Sequence, residues 1–158
     1  MKRIIIDQTK CEGCKNCSIA CMQSHRKKEG SLYNLDLLDT ENEARHTITI
    51  NVKDGSYIPL FCRHCAIPEC AGACMSGALA KDTETGHVLY DEERCGACFM
   101  CVMSCPYGNI KPDRLSRSKI IKCDFCQDYV HNDGKEGPNC VLSCPNKAIH
   151  VEEVFGGE

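Results

Sequence analysis

Short apolar runs separated by polar, glycine-containing stretches set the pattern of this chain. Ile4-Ile5-Ile6, Leu79 with its neighbours, Val88-Leu89-Tyr90 and Ala148-Ile149 each span only a few residues, the length of a short strand. Thr47-Ile48-Thr49-Ile50-Asn51-Val52 alternates polar with apolar. Lys53-Asp54-Gly55-Ser56 then supplies a turn and Tyr57-Ile58-Pro59-Leu60-Phe61 an apolar return, so a β-hairpin is predicted. Short helices are predicted at Ser18-Ile19-Ala20 and Val102-Met103-Ser104, with Pro106 and Pro145 fixing φ and stopping the helices that precede them. Residues 22–61 otherwise hold a loop, with Glu29-Gly30-Ser31 and an acidic run from Asp36 to Glu43. Leu35, Leu37 and Leu38 give that loop an apolar side, read as packing, with a partner contact as the sharper alternative.

Composition changes this picture through one residue type. Sixteen of the 158 residues are cysteine. They form four groups: Cys11, Cys14, Cys17, Cys21; Cys62, Cys65, Cys70, Cys74; Cys95, Cys98, Cys101, Cys105; and Cys123, Cys126, Cys140, Cys144. A cubane iron–sulfur cluster takes four thiolates, so the count divides into four clusters with none left over. The first and third groups read C-x2-C-x2-C-x3-C, a run in which three thiolates wrap one cluster and the fourth goes to another.

Aligned on the cysteines, the apolar runs become an internal repeat. Ile5 to Cys11 matches Leu89 to Cys95, with Asp7 and Asp91 each four residues before the first ligand. Cys74 to Leu79 matches Cys144 to Ile149, and Cys105 to Ile110 is a looser copy. Each unit is therefore a strand, a ligand loop, a short helix and a strand. Gly13, Gly96 and Ala97 stand between close-spaced ligands, where a loop must curl and aim backbone N–H groups at sulfur.

Nine aromatic residues and no Trp leave little core, so clusters are expected to substitute for part of it and the apo-protein to be largely unfolded. A disulfide scaffold is the alternative for so many cysteines, but it belongs to secreted chains. Met1 to Asp7 holds an apolar stretch of three residues and no cleavage site, so no secretory or twin-arginine leader is expected. A cytoplasmic location with reduced thiols follows as an expectation. No stretch approaches the roughly 20 apolar residues of a bilayer span, so no direct membrane insertion is expected. Zinc takes Cys-x2-Cys pairs about 15–20 residues apart, unlike four ligands within one short run.

The formal charge is −3. Sixteen thiolates less four cores of about +2 would bring it to roughly −11 with oxidised clusters. Lys15, Arg63, Arg94 and Lys122 beside the ligands either offset this locally or form a solvated surface. Basic residues are not clustered with aromatics, which speaks against nucleic acid. No nucleophile–base constellation, dinucleotide fingerprint or phosphate loop is visible, so no catalytic residue and no enzyme activity of its own are expected.

The signatures Cys62-Arg63-His64-Cys65-(x4)-Cys70-(x3)-Cys74, Cys95-Gly96-Ala97-Cys98-(x2)-Cys101-(x3)-Cys105-Pro106 and Lys122-Cys123-Asp124-Phe125-Cys126-(x13)-Cys140-(x3)-Cys144-Pro145 resemble those of four-cluster ferredoxin-like electron-transfer subunits. These accompany molybdenum enzymes, formate dehydrogenases, hydrogenases and carbon monoxide dehydrogenase. The chain looks most like the subunit paired with carbon monoxide dehydrogenase. The resemblance implies an α+β fold of short strands and helices, with two ferredoxin-like bi-cluster modules, one inserted into the other. Residues 1–30 and 113–158 would form the discontinuous module, 31–58 a loop and hairpin insertion, and 59–112 the inserted module. It further implies four [4Fe–4S] clusters with crossed ligation. Cys11, Cys14, Cys17 and Cys144 would hold cluster 1, and Cys21, Cys123, Cys126 and Cys140 cluster 2. Cys62, Cys65, Cys70 and Cys105 would hold cluster 3, and Cys74, Cys95, Cys98 and Cys101 cluster 4.

The implied function is an electron relay between a catalytic partner, carbon monoxide dehydrogenase first, and an acceptor such as a hydrogenase or flavin oxidoreductase. The alternatives are a shared soluble polyferredoxin, or the iron–sulfur subunit of a cytoplasmic formate dehydrogenase, hydrogenase or molybdenum enzyme. Two positions depart from the repeat: Met22 and Met75 follow Cys21 and Cys74 where the third and fourth groups have Pro, so the local turns are expected to differ. His64 invites a Rieske-like reading, but no Cys is missing, and a structural or hydrogen-bonding role fits better.

Overall fold

A computed structural model describes residues 1–26, 43–113, 118–127 and 137–154. The leucines 35, 37 and 38, the acidic run up to residue 42 and most of the polar stretch between Cys126 and Cys140 lie outside the described residues. Eight short strands and four helices, with one 3₁₀ turn (Gln8–Lys10), make up the rest: β1 (Lys2–Ile6), α1 (Asn16–His25), β2 (Thr47–Ile50), β3 (Tyr57–Leu60), α2 (Glu69–Gly72), β4 (Leu79–Lys81), β5 (Val88–Tyr90), α3 (Met100–Ser104), β6 (Lys111–Pro112), β7 (Ile120–Ile121), α4 (Asn139–Leu142) and β8 (Ile149–Glu153). The fold is a small mixed α and β assembly of short elements. Among the described residues no helix is long and apolar enough to cross a membrane.

Among the described residues every sheet is an antiparallel pair: β1 with β8, β2 with β3, β4 with β5 and β6 with β7. The first pair joins the two ends of the described chain, with Ile4 opposite Val151 and Ile6 opposite Ile149. The predicted hairpin forms with Thr47 opposite Leu60 and Ile50 opposite Tyr57. Its turn is tied by the Asp54 side chain, which accepts from the backbone N–H of Ser56 at 2.9 Å. Helix α1 packs on α4, and α2 on α3.

The internal repeat is visible in the backbone hydrogen bonds. Asp7 N–H donates to the Ala148 carbonyl and Asp91 N–H to the Ala78 carbonyl, both at 2.8 Å. Each aspartate then folds back on the following turn, accepting from Thr9 N–H and Glu93 N–H. The same local chemistry thus starts both units, one within a contiguous stretch and one between the two chain ends.

The apolar clusters are small, and cysteines are members of each. Leu79, Val88, Ile110 and Ile120 pack with Cys101; Phe61 and Ile149 with Cys140; Met22 and Ala44 with Cys21. A core this thin, centred on thiols, is what an internal metal group would complete.

Met22 does change the local structure. Helix α3 ends at Ser104, before Cys105-Pro106, whereas α1 runs through Cys21 and Met22 to His25. With no proline at position 22, nothing removes the N–H or fixes φ there, and an extra turn forms. Met75 has no such effect: α2 still ends at Gly72. Gly77 N–H donates to the Cys74 carbonyl at 3.1 Å, as Gly108 does to Cys105 and Lys147 to Cys144.

Candidate metal centre

None of the sixteen cysteines is in a disulfide. Only Cys14 and Cys98, the second cysteines of the first and third groups, are exposed. Their loops are built alike: Gly13 and Ala97 have φ of 67° and 51°, and Lys15 and Phe99 have φ of 61° and 57°. Three of these four are side-chain-bearing residues in the left-handed region, a conformation that persists only where the surroundings impose it. The left-handed residues curl each loop, and α1 and α3 then begin one residue before Cys17 and Cys101. His64, Phe125 and Cys126 are also left-handed, at φ of 44°, 63° and 54°, in the second and fourth loops.

Two cavities gather the cysteines. One is lined by Cys11, Cys14, Cys17 and, from the far end of the chain, Cys144. Another, of about 380 Å³, is lined by Cys62, Cys65, Cys70 and Cys105. Electrostatics groups the others. Burial, then Cys74 and Cys95, push the Cys101 thiol up. Burial, then Cys123, Cys21 and Cys126, raise Cys140 well above the usual thiol range, with Cys17 adding to it. Cys123 is likewise raised, by burial first and then by Cys62 and Cys21. Burial also takes Cys17 and Cys70 each up to about 11, helped by Cys14 and Cys144 in one case and Cys62 and Cys105 in the other. Thiols crowded and desolvated in this way are poor thiolates alone and good ligands for a cation, whose charge removes the protons.

The donors around the sulfurs fit an anionic cluster. Backbone N–H groups point at thiol sulfurs: Ala148 at Cys144 (3.3 Å), Phe125 at Cys123 (3.4 Å) and Arg45 at Cys21 (3.3 Å). Such N–H···S contacts orient ligands and set the potential of a cluster. The chemistry such a group supplies when bound is one-electron transfer. The chain's contribution is to hold the ligands, aim donors at sulfur and exclude water.

A polar network that the sequence did not announce surrounds Cys21. The extra turn of α1 places His25 so that Nδ1 donates to the Cys21 carbonyl at 2.7 Å and lies 3.6 Å from its Sγ. His25 Nε2 donates to Asp124 Oδ1 at 3.1 Å, and the Arg45 guanidinium pairs with the other Asp124 oxygen. Burial opposes the His25 charge, but Asp124, Cys126 and Cys21 outweigh it and push its pKa up to about 12. Burial would raise Cys21; His25 and His46 reverse that and bring it to about 6. Helical spacing from Cys21 to His25 was the one signal available, and only for a helix longer than the repeat suggested.

The basic residues beside the ligands divide. Lys122 is buried, its ammonium donating to the carbonyls of Val88 (2.6 Å) and Cys123 (2.8 Å). Arg63 sits 5.0 Å from the centre of the Tyr107 ring and donates to its hydroxyl. Lys15 and Arg94 are exposed. Lys81, not singled out in the sequence, donates to the carbonyls of His64, Cys65 and Gly86 and so ties the second loop to the turn before β5.

Comparison with known proteins agrees with this chemistry. The family described as "4Fe-4S dicluster domain" matches residues 53–154. The putative electron transport protein YsaA of Escherichia coli (strain K12) is 32% identical over 153 residues, covering 96% of this chain and 89% of that protein. The NADH-dependent phenylglyoxylate dehydrogenase subunit beta of Aromatoleum evansii is 35% identical over 150 residues, 92% of this chain but 29% of that longer subunit. Among solved structures, the active site complex BamBC of benzoyl coenzyme A reductase with benzoyl-CoA superposes with a TM-score of 0.53 at 25% identity, covering 100% of this chain and 82% of that one.

Proposed function

The chain belongs to the 4Fe–4S dicluster domain family, and from that premise we propose that it is an electron relay carrying four [4Fe–4S] clusters, a subunit of an oxidoreductase system without a substrate site of its own. One observation carries the proposal: two cavities are each lined by three cysteines of one group and the last cysteine of another group. That supports the crossed arrangement, in which Cys144 would complete the set of Cys11, Cys14 and Cys17, and Cys105 that of Cys62, Cys65 and Cys70. Cys21 would complete Cys123, Cys126 and Cys140, and Cys74 would complete Cys95, Cys98 and Cys101.

The packing of the cysteines supports an order for the relay. Cys17 and Cys144 pack with Cys140, which supports clusters 1 and 2 as neighbours; Cys70, Cys74 and Cys105 pack around Cys101, which supports the same for clusters 3 and 4; and the influence of Cys62 on Cys123 supports clusters 2 and 3 as neighbours. Clusters 1 and 4 are then the ends, and they hold the two exposed cysteines, Cys14 and Cys98. Electrons enter at one of these ends and leave at the other.

The nested arrangement is part of the same reading. Pairing of β1 with β8 and packing of α1 on α4 support an outer module of residues 1–30 and 113–158. Pairing of β4 with β5 and packing of α2 on α3 support an inner one of 59–112. The hairpin of β2 and β3 belongs to the insertion at 31–58, with β3 and Phe61 leading into the inner module. The resemblance of the cysteine signatures supports a carbon monoxide dehydrogenase as catalytic partner, with a hydrogenase or flavin oxidoreductase as acceptor.

Iron and acid-labile sulfide analysis of the anaerobically reconstituted chain tests the cluster count. About sixteen irons and sixteen sulfides are expected for four cubanes. Fewer than about twelve irons, or zinc in their place, overturns the four-cluster reading. Anaerobic affinity purification from the native host tests the partner: a molybdopterin subunit co-eluting instead of a carbon monoxide dehydrogenase refutes the narrower assignment.

A further inference from the structure

The cavity lined by Cys62, Cys65, Cys70 and Cys105 is unusual in what else faces it. His64 and Arg3 both line it, and both carry buried nitrogen donors without a hydrogen-bond partner among the described residues: His64 Nε2, Arg3 Nε and Arg3 Nη2. His64 is 1% exposed, one of the most buried side chains among the described residues. Its Nδ1 accepts the backbone N–H of Val88 at 3.0 Å, which fixes the tautomer: the proton is on Nε2. The ring is also locked, at 4.8 Å from His87 and 5.9 Å from Phe125 between centroids. An N–H donor held this rigidly and left unpaired costs about 1–3 kcal/mol, so its persistence calls for an acceptor.

Arg3 comes from β1, whose partner is β8, and so reaches this cavity from outside residues 59–112. Asn109, whose Nδ2 donates to the Phe61 carbonyl, adds one unpaired acceptor, Oδ1, to the same wall. Among the unpaired buried side-chain atoms of its described lining, donors outnumber acceptors by three to one, and Arg3 and Arg63 outnumber Glu69 among its charged residues. A wall of that composition suits an anion carrying sulfur acceptors.

We propose that His64 Nε2–H and the Arg3 guanidinium are hydrogen-bond donors to the sulfurs of the cluster held by Cys62, Cys65, Cys70 and Cys105, and that they raise its reduction potential. The inference rests on the ligand set proposed above. Reduction adds negative charge to the cluster, and a fixed N–H dipole or guanidinium stabilises the reduced form more than the oxidised one. His64 and Arg3 are positioning residues: they ligate no iron. Because Arg3 lies on β1, the strand that closes the chain ends, the potential of this one cluster would be coupled to the pairing of β1 with β8.

The test uses the full chain, reconstituted anaerobically, with an EPR-monitored redox titration. His64→Phe keeps the ring volume against His87 and Phe125 but removes the N–H. Arg3→Met removes the guanidinium. Each is expected to shift the midpoint of one cluster to more negative potential and leave the others in place. His64→Gln, which returns an amide N–H near the position of Nε2, is expected to recover most of the shift. Unchanged potentials in both variants, with iron content intact, would overturn the inference. Should a variant lose its cluster, the wild-type chain decides. With isotopically labelled histidine nitrogen, pulsed EPR of the reduced protein at the signal that Cys62→Ala removes is expected to show an imidazole coupling, and its absence there counts against His64 as donor, whereas a coupling at the cluster beside Cys21 comes from His25. Separately, Cys62→Ala should remove about four irons; retention of all iron would refute the ligand set itself, and the inference with it.

Discussion

Tyr57 of β3 occupies the space that a Cβ at Gly13 would need: its Cγ, Cδ1 and Cε1 all overlap that position. Gly13 also has φ of 67°, yet Ala97, its counterpart in the third group, adopts φ of 51° with a side chain. Left-handed backbone alone, at about 1–2 kcal/mol for a non-glycine residue, is therefore tolerated in this loop. The demand for glycine at position 13 comes from the hairpin lying over it. Gly13→Ala is expected to lose, on reconstitution, the cluster proposed for Cys11, Cys14 and Cys17. The double variant Gly13→Ala with Tyr57→Ala should recover part of the iron. Non-additivity in iron content between the two single variants and the double one is the measurement.

Lys122 gives a second prediction. Its ammonium is buried and satisfies the carbonyls of Val88 in β5 and Cys123 in the fourth loop. Lys122→Met keeps most of the volume but leaves both carbonyls unpaired. A loss of about 2–4 kcal/mol is expected from two buried acceptors, read by anaerobic urea denaturation. Lys15→Met, at an exposed position, should fall within about 0.5 kcal/mol of the wild type.

How much of this was legible in the sequence depends on range. The hairpin was legible because alternation over Thr47 to Val52 and the Asp54-Gly55 turn are local signals. The repeat was legible because the cysteine spacing aligns Asp7 with Asp91, and those two make equivalent hydrogen bonds. The network at Cys21 was not, because Asp124 lies 99 positions from His25 and 79 from Arg45. Nor was the contact of Tyr57 with Gly13, since neither residue type signals the other. Arg3 reads in the sequence as one polar residue at a strand start. Its orphaned nitrogens at the cysteine cavity appear only once β1 is laid beside β8.

Asp124 carries a pH dependence. Burial would raise its carboxyl, but the His25 hydrogen bond and the Arg45 charge hold it well below the ordinary value of 3.8. A depressed carboxyl contributes stability that is fully present above the ordinary value and is lost as pH falls through the folded one. Asp124→Asn removes that contribution at every pH, at a cost of about 1–3 kcal/mol, because the amide offers one acceptor oxygen where His25 and Arg45 use two and carries no charge to pair with them. The wild-type chain is therefore expected to bleach more slowly than the variant near neutral pH. The gap should narrow only as pH drops below about 4. Anaerobic bleaching rates of the visible cluster absorbance across acid pH check this. A gap that stays constant through that range would mean that the Asp124 carboxylate is not the source.

If ligation is crossed as proposed, the last cysteine of each group is the most informative to replace. Cys144 lines the cavity of Cys11, Cys14 and Cys17, although it follows Cys140 by four positions on the α4 side of the fold. Cys21 follows Cys17 by the same spacing and sits among Cys123, Cys126 and Cys140 in its electrostatic surroundings. Cys144→Ser is then expected to damage the cluster of the first group and spare that of the fourth. Cys21→Ser should do the reverse. Each variant should lose about one to four irons, the lower figure corresponding to a three-iron remnant. EPR can tell the two losses apart, because Cys21 Sγ accepts the Arg45 N–H and lies 3.6 Å from His25 Nδ1, whereas among the described residues Cys144 Sγ accepts the Ala148 N–H. If Cys144→Ser and Cys21→Ser each abolish the signal of their own group, ligation is uncrossed and the two cavities have another explanation.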